Sequence, residues 1–324
     1  MDTTRLDLAR IRAAQDVIDP IFRDTPLYRC EALEPVLGCV LSIKLETANP
    51  VRSFKGRGTE LVTDQVAAGG RLVCASAGNL GQALAWSARA RGLSVTVVAS
   101  RSAPATKLDR IRALGATLHV VPGDFDEARA RAAEIAHESG ARLVEDSQDL
   151  ETCEGAGTIG LELVGHAFDT VLIALGGGAM ATGVGHVVKT LTEAEVVCVQ
   201  PAGAPAMTLS WRAGRVITTP TTDTIADGVA GRLPIPEVLD DLRSTIDDAV
   251  LVEESSIITA MRLLHDHAGL IVEPSAALGV AAVLEAPARF AGRHVVTIIC
   301  GSNVDVPAYR DWLTRAEAPR SPVR

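Results

Sequence analysis

Short apolar runs that alternate with stretches of helical periodicity are the feature that most constrains the fold of this chain. Apolar runs of strand length occur at 40–45, 72–75, 95–99, 117–121, 170–175, 196–200 and 294–300. Helical periodicity covers 5–18 and a stretch from Lys55 to about 68, and further helices begin near 79, 105, 125, 178, 255 and 275. Strands that alternate with helices predict an α/β fold with a mostly parallel sheet. Residues 201–236 are rich in Pro, Gly and Thr, and we expect a long irregular loop there, bordering a functional site.

The composition narrows the possible partners. The chain has 324 residues, of which 47% are hydrophobic and 3% aromatic, so Ala, Val and Leu must build the core of one large or two ordinary domains. A net charge of −9 argues against nucleic acid and anionic membranes as partners, and no apolar run reaches membrane-spanning length. The cysteine spacing suggests neither a metal site nor disulfides, so we expect reduced thiols in a cytoplasmic protein. The tail after about Arg315 is expected to be frayed.

Lys55 is the strongest candidate for a catalytic residue. Lysine occurs only at positions 44, 55, 107 and 189, and the other three fit solvated or pairing positions. Lys55 stands between Phe54 and Gly56, just inside a helix start, a setting that is poorly suited to a surface salt bridge. A crowded amine gives up its proton more readily and becomes a nucleophile that can form an imine with an aldehyde. A solvated lysine at a helix start is the alternative reading of this segment taken alone.

A glycine-containing loop follows the apolar run at 72–75 and opens the next helix. Free backbone N–H groups at a helix start form an anion site, and a carboxylate would fit there. The glycines let a ligand approach the backbone closely, and the Asn79 amide could bond a phenolic oxygen. An ordinary strand-to-helix turn is the alternative. The loop consists of Ser76, Ala77, Gly78, Asn79, Leu80 and Gly81.

A second loop carries three consecutive glycines after the run at 170–175. Such glycines are costly to order unless a ligand needs the bare backbone, and a phosphate at a helix N-terminus does need it. A plain tight turn is the alternative, and no P-loop lysine follows. Cys300 ends the last apolar run, where parallel sheets place ligands, and the Gly-Ser-Asn after it favours a ligand-facing thiol over a core cysteine. The loop consists of Gly176, Gly177, Gly178, Ala179 and Met180.

Two other patterns are rejected as sites. Residues 155–160 match a dinucleotide-binding fingerprint in spelling, but the acidic segment before them is no buried strand, so the required strand-turn-helix context is missing. His265 and His267 flank Asp266 at the end of a helical stretch. A solvated helix terminus explains them better than a metal site.

Together these segments resemble the fold-type-II family of pyridoxal-phosphate enzymes, and within it the serine/threonine dehydratases and serine racemases. The resemblance covers about residues 12–310 and includes 113–116, 224–229 and 272–277. It implies two doubly wound parallel-sheet domains, similar to the β chain of tryptophan synthase, with the cofactor in the cleft between them. It implies a large domain of 1–70 and 149–324, a small substrate-binding domain of 71–148, no C-terminal regulatory module, and a homodimer.

The resemblance also implies roles for individual residues. Lys55 would hold pyridoxal 5'-phosphate as a Schiff base, Asn79 would bind the 3-oxygen of the ring, and Cys300 would meet the pyridine nitrogen. Loop 176–180 would bind the cofactor phosphate, and loop 76–81 would cradle the substrate carboxylate. The side chains and backbone expected around the cofactor ring are those of Phe54, Lys55, Asn79, Gly228, Glu273 and Cys300.

Departures from the family pattern bear on the reaction. Ala77 stands where similar racemases carry a second serine, which would serve as the acid on the opposite face, and alanine cannot transfer a proton. Gln200 and Ala206 stand where the family's divalent-cation site has acidic residues, so no metal is expected. Arg52 replaces a common glycine and Leu80 a common histidine, which leaves the choice of substrate open.

We therefore expect a lyase that uses pyridoxal phosphate to eliminate the hydroxyl of a β-hydroxy amino acid of the serine/threonine type, releasing a 2-oxo acid and ammonia. The alternatives are an amino-acid racemase, a threonine synthase-like replacement enzyme, and a carrier of pyridoxal phosphate without turnover. Intact Lys55 and the loop 76–81 favour an enzyme, because storage needs no carboxylate cradle. Serine, threonine, a 3-hydroxyaspartate and a bulkier aryl analogue all fit as substrates.

Overall fold

The computed structural model describes residues 4–314, apart from residues 102 and 124 and the side chain of residue 126. The tail after Arg315, predicted to be frayed, lies outside the described residues. The strands are β1 (Leu27–Arg29), β2 (Val40–Leu45), β3 (Arg71–Ala75), β4 (Ser94–Ser100), β5 (Thr117–Val121), β6 (Arg142–Val144), β7 (Thr170–Ala174), β8 (Glu195–Pro201), β9 (Asp248–Val252) and β10 (His294–Ile299). The α-helices are α1 (Leu8–Val17), α2 (Glu34–Leu37), α3 (Lys55–Asp64), α4 (Asn79–Ala90), α5 (Ala105–Ala113), α6 (Phe125–Ser139), α7 (Leu150–Leu163), α8 (Ala179–Leu191), α9 (Ala206–Ala213), α10 (Pro236–Thr245), α11 (Glu254–Ala268), α12 (Leu278–Glu285), α13 (Pro287–Phe290) and α14 (Val306–Thr314). Short 3-10 helices cover Pro20–Phe22, Glu31–Leu33, Asp227–Val229 and Pro274–Ala277.

The larger sheet has six strands in the order β1-β2-β10-β7-β8-β9. β1 is antiparallel to β2, and the other neighbouring strands are parallel. β2 and β10 pair along their whole lengths, from Val40 opposite His294 to Leu45 opposite Ile299. The runs 171–173 and 196–199 are fully buried, because helices cover both faces of a parallel sheet.

The smaller sheet has four parallel strands in the order β5-β4-β3-β6. Successive side chains of β3 point to opposite faces, so Leu72 packs with Leu84 of α4 while Val73 packs with Ala132 of α6. The predicted fold class, α/β with two doubly wound parallel-sheet units, is confirmed. All four strands lie between residues 71 and 144, inside the predicted small domain. The exact domain boundaries stay a prediction.

The expectation of a wholly irregular stretch over 201–236 was wrong, because α9 lies within it. The helix begins after Pro205 and ends at Gly214, which adopts a left-handed φ of 65°. Its apolar face includes Met207, which packs in the core of the larger sheet. An eight-residue helix between proline and glycine offers too few apolar positions for its periodicity to stand out.

The glycines of the rejected dinucleotide motif lie inside α7, where they permit close packing of helices. A Cβ atom added to Gly155 would lie 2.5 Å from Gly58 Cα on α3. On the facing helix α8, a Cβ atom added to Gly183 would lie 2.0 Å from the carbonyl oxygen of Cys153 on α7. The motif therefore serves helix packing, and the close approach of α3 to α7 fixes the helix that Lys55 begins.

A buried group of four charged side chains fixes α3 from its other side. Arg57 is fully buried and donates to Glu46 at 2.8 Å and to Glu162 at 2.6 Å. Lys44, only 1% exposed, donates to Glu162 at 2.5 Å. The two positive and two negative charges balance, so each buried ion has an opposite partner. Of the two readings left open for Lys44, the structure selects the paired one.

Candidate active site

The Lys55 loop is fastened to the segment that follows β10. The Phe54 N–H donates to the carbonyl oxygen of Cys300 at 3.1 Å, and the Ser302 N–H donates to that of Arg52 at 2.9 Å. Ser53 and Gly301 form an isolated β-bridge between these hydrogen bonds. The start of α3 and the end of β10 therefore share one backbone framework, which brings Lys55 and Cys300 to the same place.

The Lys55 amine forms an ion pair with Asp146, and this corrects the expectation that it was poorly placed for a salt bridge. Its Nζ atom lies 2.7 Å from both carboxylate oxygens and 4.5 Å above the centroid of the buried Phe54 ring. The lysine side chain is 15% exposed and that of Asp146 is 33% exposed. Asp146 follows β6 of the smaller sheet, so the ion pair joins the two sheets. The sequence prediction was wrong because it considered only the neighbours of Lys55 at the helix start.

Asp146 is held by a turn between β6 and α7 that the sequence did not identify. The next residue, Ser147, is fully buried with a left-handed φ of 67°, and its N–H donates to Thr152 Oγ1 at 2.9 Å. The Glu145 N–H donates to the Asp149 carboxylate at 2.9 Å. An acidic stretch usually indicates a solvated surface, so the sequence pointed away from a site here. The left-handed conformation of Ser147, which marks the turn, cannot be predicted from the residue type.

The glycine loop 176–178 lies beside this turn. A Cβ atom added to Gly177 would be 2.6 Å from Ser147 Oγ and 3.9 Å from an Asp146 oxygen. Gly178 caps α8 with φ 113°, a conformation that disfavours any side chain. Ser147 Oγ accepts the Ala179 N–H at 3.0 Å, and a glycine cap leaves the other first-turn N–H groups without a side-chain partner. The N-terminus of α8, with a glycine cap, therefore lies beside the turn that carries Asp146.

The loop 76–81 forms a second such terminus at the start of α4, whose capping residue is Gly78. A Cβ atom added to Gly81 would lie 2.0 Å from the Ser76 carbonyl oxygen, so the tight turn requires glycine there. The Leu80 side chain is buried in the core of the smaller sheet, and Ala77 packs against the same core. The Leu80 side chain is therefore directed away from a ligand at the start of α4.

Asn79, Glu273 and Asn303 form a hydrogen-bonded network between the two sheets. Asn79 Nδ2 donates to one Glu273 oxygen at 2.9 Å, and the Asn303 N–H donates to the other at 2.7 Å. Asn303 Nδ2 donates to Asn79 Oδ1 at 2.7 Å. Burial raises the pKa of the Glu273 carboxyl, against the lowering effect of the Lys107 charge and these hydrogen bonds. Asn303 had been singled out only as part of the Gly-Ser-Asn that follows Cys300.

Cys300 presents a neutral thiol at the end of β10. Burial, and to a smaller extent the nearby Glu273 carboxylate, raise the pKa of this thiol to about 12. Cys300 is 6% exposed, and its thiol forms a hydrogen bond with the Ser275 side chain. A neutral thiol can exchange a hydrogen bond with a ring nitrogen but places no negative charge beside it.

The site residues predicted from the sequence thus converge through a chain of contacts. Lys55 joins Cys300 through the backbone framework, and Gly301 lies against Glu273 and Asn79. Gly228 lies next to the glycine loop, because a Cβ atom added to Gly176 would lie 3.2 Å from the Gly228 carbonyl oxygen. Most of the site follows the carboxyl ends of strands, as ligand sites in parallel sheets do: the Lys55 loop, the loops 76–81 and 176–180, the Asp146 turn and Cys300. Gly228 and Glu273 instead follow the helices α9 and α11. Sequence reasoning missed Asp146 and Ser147.

Comparison with known proteins gives the family. The family model described as "Pyridoxal-phosphate dependent enzyme" matches residues 18–301. The chain belongs to this family. The predicted family and its cofactor are therefore confirmed, and Lys55, the glycine loop and Cys300 all lie within the matched residues. No described helix combines the length and apolar character that a bilayer crossing requires.

Individual relatives cover nearly the whole chain. The L-threonine dehydratase of Mycobacterium tuberculosis (strain ATCC 25618 / H37Rv) is 35% identical over an alignment of 322 residues, which covers 95% of this chain and 74% of that protein. The serine racemase of Oryza sativa subsp. indica is 32% identical over an alignment of 316 residues, which covers 93% of this chain and 91% of that protein. The structure of the processed form of threonine deaminase isoform 2 from Solanum lycopersicum has a TM-score of 0.87 and 28% identity, covering 95% of this chain and 89% of that one.

Proposed function

We propose that the chain is a dehydratase that eliminates the β-hydroxyl of a serine- or threonine-type amino acid and releases a 2-oxo acid and ammonia. The observation that carries this proposal is the placement of the Lys55 amine, which is paired with Asp146 in a turn beside the glycine loop 176–178. The loop 76–81 joins the same site through Asn79. Two helix N-termini and one amine provide binding places for a phosphate, a carboxylate and an aldehyde carbon. The names of the relatives in Mycobacterium tuberculosis and Solanum lycopersicum support this reaction type.

The residues present fit pyridoxal phosphate. We assign the phosphate to the backbone of loop 176–180, where side chains at Gly177 and Gly178 would strike Ser147 and Val238. We assign the ring to the pocket between Phe54, Asn79, Gly228, Glu273 and Cys300. When bound, the cofactor supplies an aldehyde for the Lys55 amine and a conjugated ring that takes up the electrons left by a departing α-proton.

Lys55 Nζ is the atom that we propose takes the α-proton of the substrate. Asp146 holds this amine with both carboxylate oxygens at 2.7 Å, which restricts the amine to the floor of the site and offers a second position for a proton. The backbone N–H groups at the start of α4 bind the substrate carboxylate and so orient the α-carbon. The substrate's hydroxyl group leaves with a proton that Lys55 has taken up.

Racemisation is a second candidate, which the similarity to the serine racemase of Oryza sativa subsp. indica supports. Ala77 removes the serine that similar racemases use as the acid on the opposite face, and alanine carries no proton. Asp146 does not replace that serine, because it is hydrogen-bonded to Lys55 itself and would act from the side of Lys55. Measuring the D-isomer alongside the 2-oxo acid separates the two reactions.

The decisive experiment is a substrate panel on purified, cofactor-saturated protein. We expect 2-oxo acid and ammonia in equal amounts from at least one β-hydroxy amino acid, and a loss of at least about a thousandfold in Lys55→Ala. Lys189→Ala, which changes a lysine paired with Asp247 at 2.5 Å outside the site, is the matched control. Borohydride reduction followed by peptide mapping should label Lys55. Labelled protein that releases no 2-oxo acid from any substrate would favour a carrier instead.

We also propose a cytoplasmic homodimer with a small amino acid as its substrate. All six cysteines are buried and unpaired, which suits a reducing compartment.

Among the described residues, no three His, Cys, Asp or Glu side chains form a metal-binding group. Light scattering of the purified protein tests the dimer, which a monomeric mass at working concentration would contradict.

A further inference from the structure

Two arginines lie near Asn303, at the edge of the site. Arg110 lies on α5, beside the smaller sheet, and is half-buried, whereas Arg52 lies in the Lys55 loop of the larger sheet and is exposed. Within the part of the chain that the structure describes, neither arginine forms an ion pair. Arg52 adopts a left-handed φ of 52°, a conformation that costs a residue with a side chain more than it costs glycine.

The other cations on α5 are neutralised. Lys107 bonds to Asp227 across the cleft, and Arg112 pairs with Asp109 on the same helix at 2.8 Å. Arg110 lies between them in sequence and points instead toward the residues of the site. The absence of a carboxylate is therefore particular to Arg110 and not a general property of this helix.

Hydrogen bonds place Arg110 next to the ligand-binding loops. Its Nη1 atom donates to Asn303 Oδ1. The same Asn303 side chain donates to Asn79 Oδ1 at 2.7 Å and to the carbonyl oxygen of Val51 at 2.8 Å. The Asn303 side chain thus links the Arg110 guanidinium to Asn79 in the loop 76–81 and to Val51, which precedes Arg52 in the chain.

The nearby Glu273 carboxylate forms no ion pair with Arg110. Both Glu273 oxygens already accept hydrogen bonds, from Asn303 and Asn79, and burial raises the pKa of that carboxyl. Burial and the Arg52 charge lower the pKa of Arg110, against the raising effect of Glu273. An anion bound beside Arg110 would offset both lowering effects. Arginine is also the side chain best shaped to bind a carboxylate or a phosphate with two hydrogen bonds.

We propose that Arg110 and Arg52 bind an anionic group on the side chain of the substrate, so that the enzyme acts on a β-hydroxy amino acid with a second acidic group. This inference rests on the proposed elimination and narrows its substrate. A 3-hydroxyaspartate carries the anion as a carboxylate, and O-phosphoserine carries it as a phosphate on the leaving oxygen. The substrate's α-carboxylate would bind at the loop 76–81 and its second anion at the arginine pair.

The reaction balances for both compounds. With 3-hydroxyaspartate, the Cα–H and Cβ–O bonds break, water leaves, and hydrolysis of the resulting enamine consumes one water, so the net products are oxaloacetate and ammonia. With O-phosphoserine, the Cβ–O bond breaks toward phosphate, and hydrolysis gives pyruvate, ammonia and inorganic phosphate with one water consumed. No oxidant or reductant is required in either case.

The test compares kcat/KM for L-serine, L-threonine, 3-hydroxyaspartate and O-phosphoserine. We expect the wild-type protein to favour one anionic substrate over L-serine by at least about tenfold, and Arg110→Gln to reduce that ratio by at least about tenfold. Glutamine removes the charge and keeps amide N–H donors on a shorter side chain. Arg52→Gly should also reduce the ratio, while relieving the left-handed backbone. Arg112→Gln, on the same helix, is the control that should leave the ratio unchanged.

This comparison of substrates distinguishes the two anions and can also overturn the proposal. Preference for 3-hydroxyaspartate assigns a carboxylate and preference for O-phosphoserine a phosphate, and either supports the proposal if Arg110→Gln reduces it. Equal use of L-serine, or an equal loss on all substrates in Arg110→Gln, overturns it, because the arginine would then only support Asn303.

A binding measurement separates failure of this proposal from failure of the proposed reaction. Succinate should raise the unfolding midpoint of the cofactor-saturated protein by about 2–4 °C at saturating concentration, and butyrate, which lacks the second carboxylate, should not. Arg110→Gln should abolish the succinate effect. If no substrate releases a 2-oxo acid but this Arg110-dependent effect is seen, the anion site stands and the elimination falls. If succinate has no effect, the anion site falls.

Discussion

Asp146 restrains the Lys55 amine without fixing it permanently. With side-chain exposures of 15% and 33%, the pair is partly solvated, and an ion pair of this kind contributes about 1 kcal/mol or less. Such a pair suits an amine that must bind a carbonyl carbon, leave it and return. A fully buried pair such as Arg57 with Glu46 would resist that movement, because separating buried charges costs several kcal/mol.

Replacing the carboxylate alone should expose this role. In Asp146→Asn we expect kcat for 2-oxo-acid release to fall about 10- to 100-fold, with a smaller change in KM, because an amide neither pairs with an ammonium group nor carries a proton. Steady-state kinetics with borohydride labelling of Lys55 measures both effects. Asp240→Asn changes an exposed aspartate near Arg243 and is the control. An unchanged kcat would show that Asp146 has no part in the reaction.

Gly178 should tolerate no side chain. In Gly178→Ala, the new Cβ would combine a φ of 113° with a distance of 2.4 Å to Val238 Cγ1. We expect a loss of about 2–4 kcal/mol of unfolding free energy and at least tenfold weaker binding of pyridoxal phosphate, because the loop must shift. Gly165→Ala has a similar φ of 95° but open space around it, so it measures backbone strain alone. Denaturant unfolding and cofactor titration provide the numbers, and equal effects in both variants would contradict the steric argument.

At the scale of elements, α7 connects the catalytic helix to the rest of the larger sheet. Its glycines let α3 and α8 approach until backbone atoms touch, and its Glu162 reaches the buried charges beside α3. The position of Lys55 therefore depends on a helix that carries no residue of the site. Local changes in α7 should act on activity through stability and geometry.

Gly155→Ala tests this close packing. Alanine favours helix by about 1 kcal/mol over glycine, yet its Cβ would lie 2.5 Å from Gly58 Cα, where only backbone could move. We expect a net loss of about 1–3 kcal/mol in unfolding free energy. Gly231→Ala, in open space at an exposed loop position, should change stability by less than about 0.5 kcal/mol. A stabilised Gly155→Ala protein would mean that the helices can separate without penalty.

The positions of the strands could be predicted only in part. β2, β5 and β10 have five or six residues each and could be predicted to within one residue, although they contain polar residues such as Lys44 and His119. β9, with five residues, was not predicted. β1 and β6 have three residues each, too few for a pattern. The site loops could be predicted because glycine after a buried run has a local cause. The Lys55–Asp146 pair could not, because it joins residues 91 positions apart through the arrangement of the two sheets.

At the scale of the whole molecule, buried charges give the fold a sensitivity to acid. Burial alone would raise the pKa of Glu162, but the hydrogen bonds and charges of Arg57 and Lys44 outweigh it and lower the pKa below its ordinary 4.5. The unfolded chain therefore binds this proton at a higher pH than the folded chain does. The stabilising contribution is complete above about pH 4.5 and is lost as the pH falls through the lower, folded pKa.

Glu162→Gln should remove both the charge pairing and this acid dependence. We expect a loss of about 3 kcal/mol at pH 7, because Arg57 and Lys44 would share one remaining carboxylate. Urea unfolding at pH 7, 5, 4 and 3.5 should show a shallower fall in stability for the variant than for the wild type. Parallel curves at acidic pH would contradict the assigned origin of the dependence. Glu138→Gln, which changes an exposed carboxylate paired with Arg131, is the control.

The strand order of the larger sheet has a consequence for biosynthesis. β10 is the last described strand along the chain, yet it lies between β2 and β7 and supplies the backbone to which the Lys55 loop is fastened. A ribosome releases β2 and β7 long before their shared neighbour emerges. Until then a gap two strand-spacings wide separates them, and nascent chains must be kept from pairing with one another through those open edges. The active site is therefore among the last parts of the molecule to be assembled.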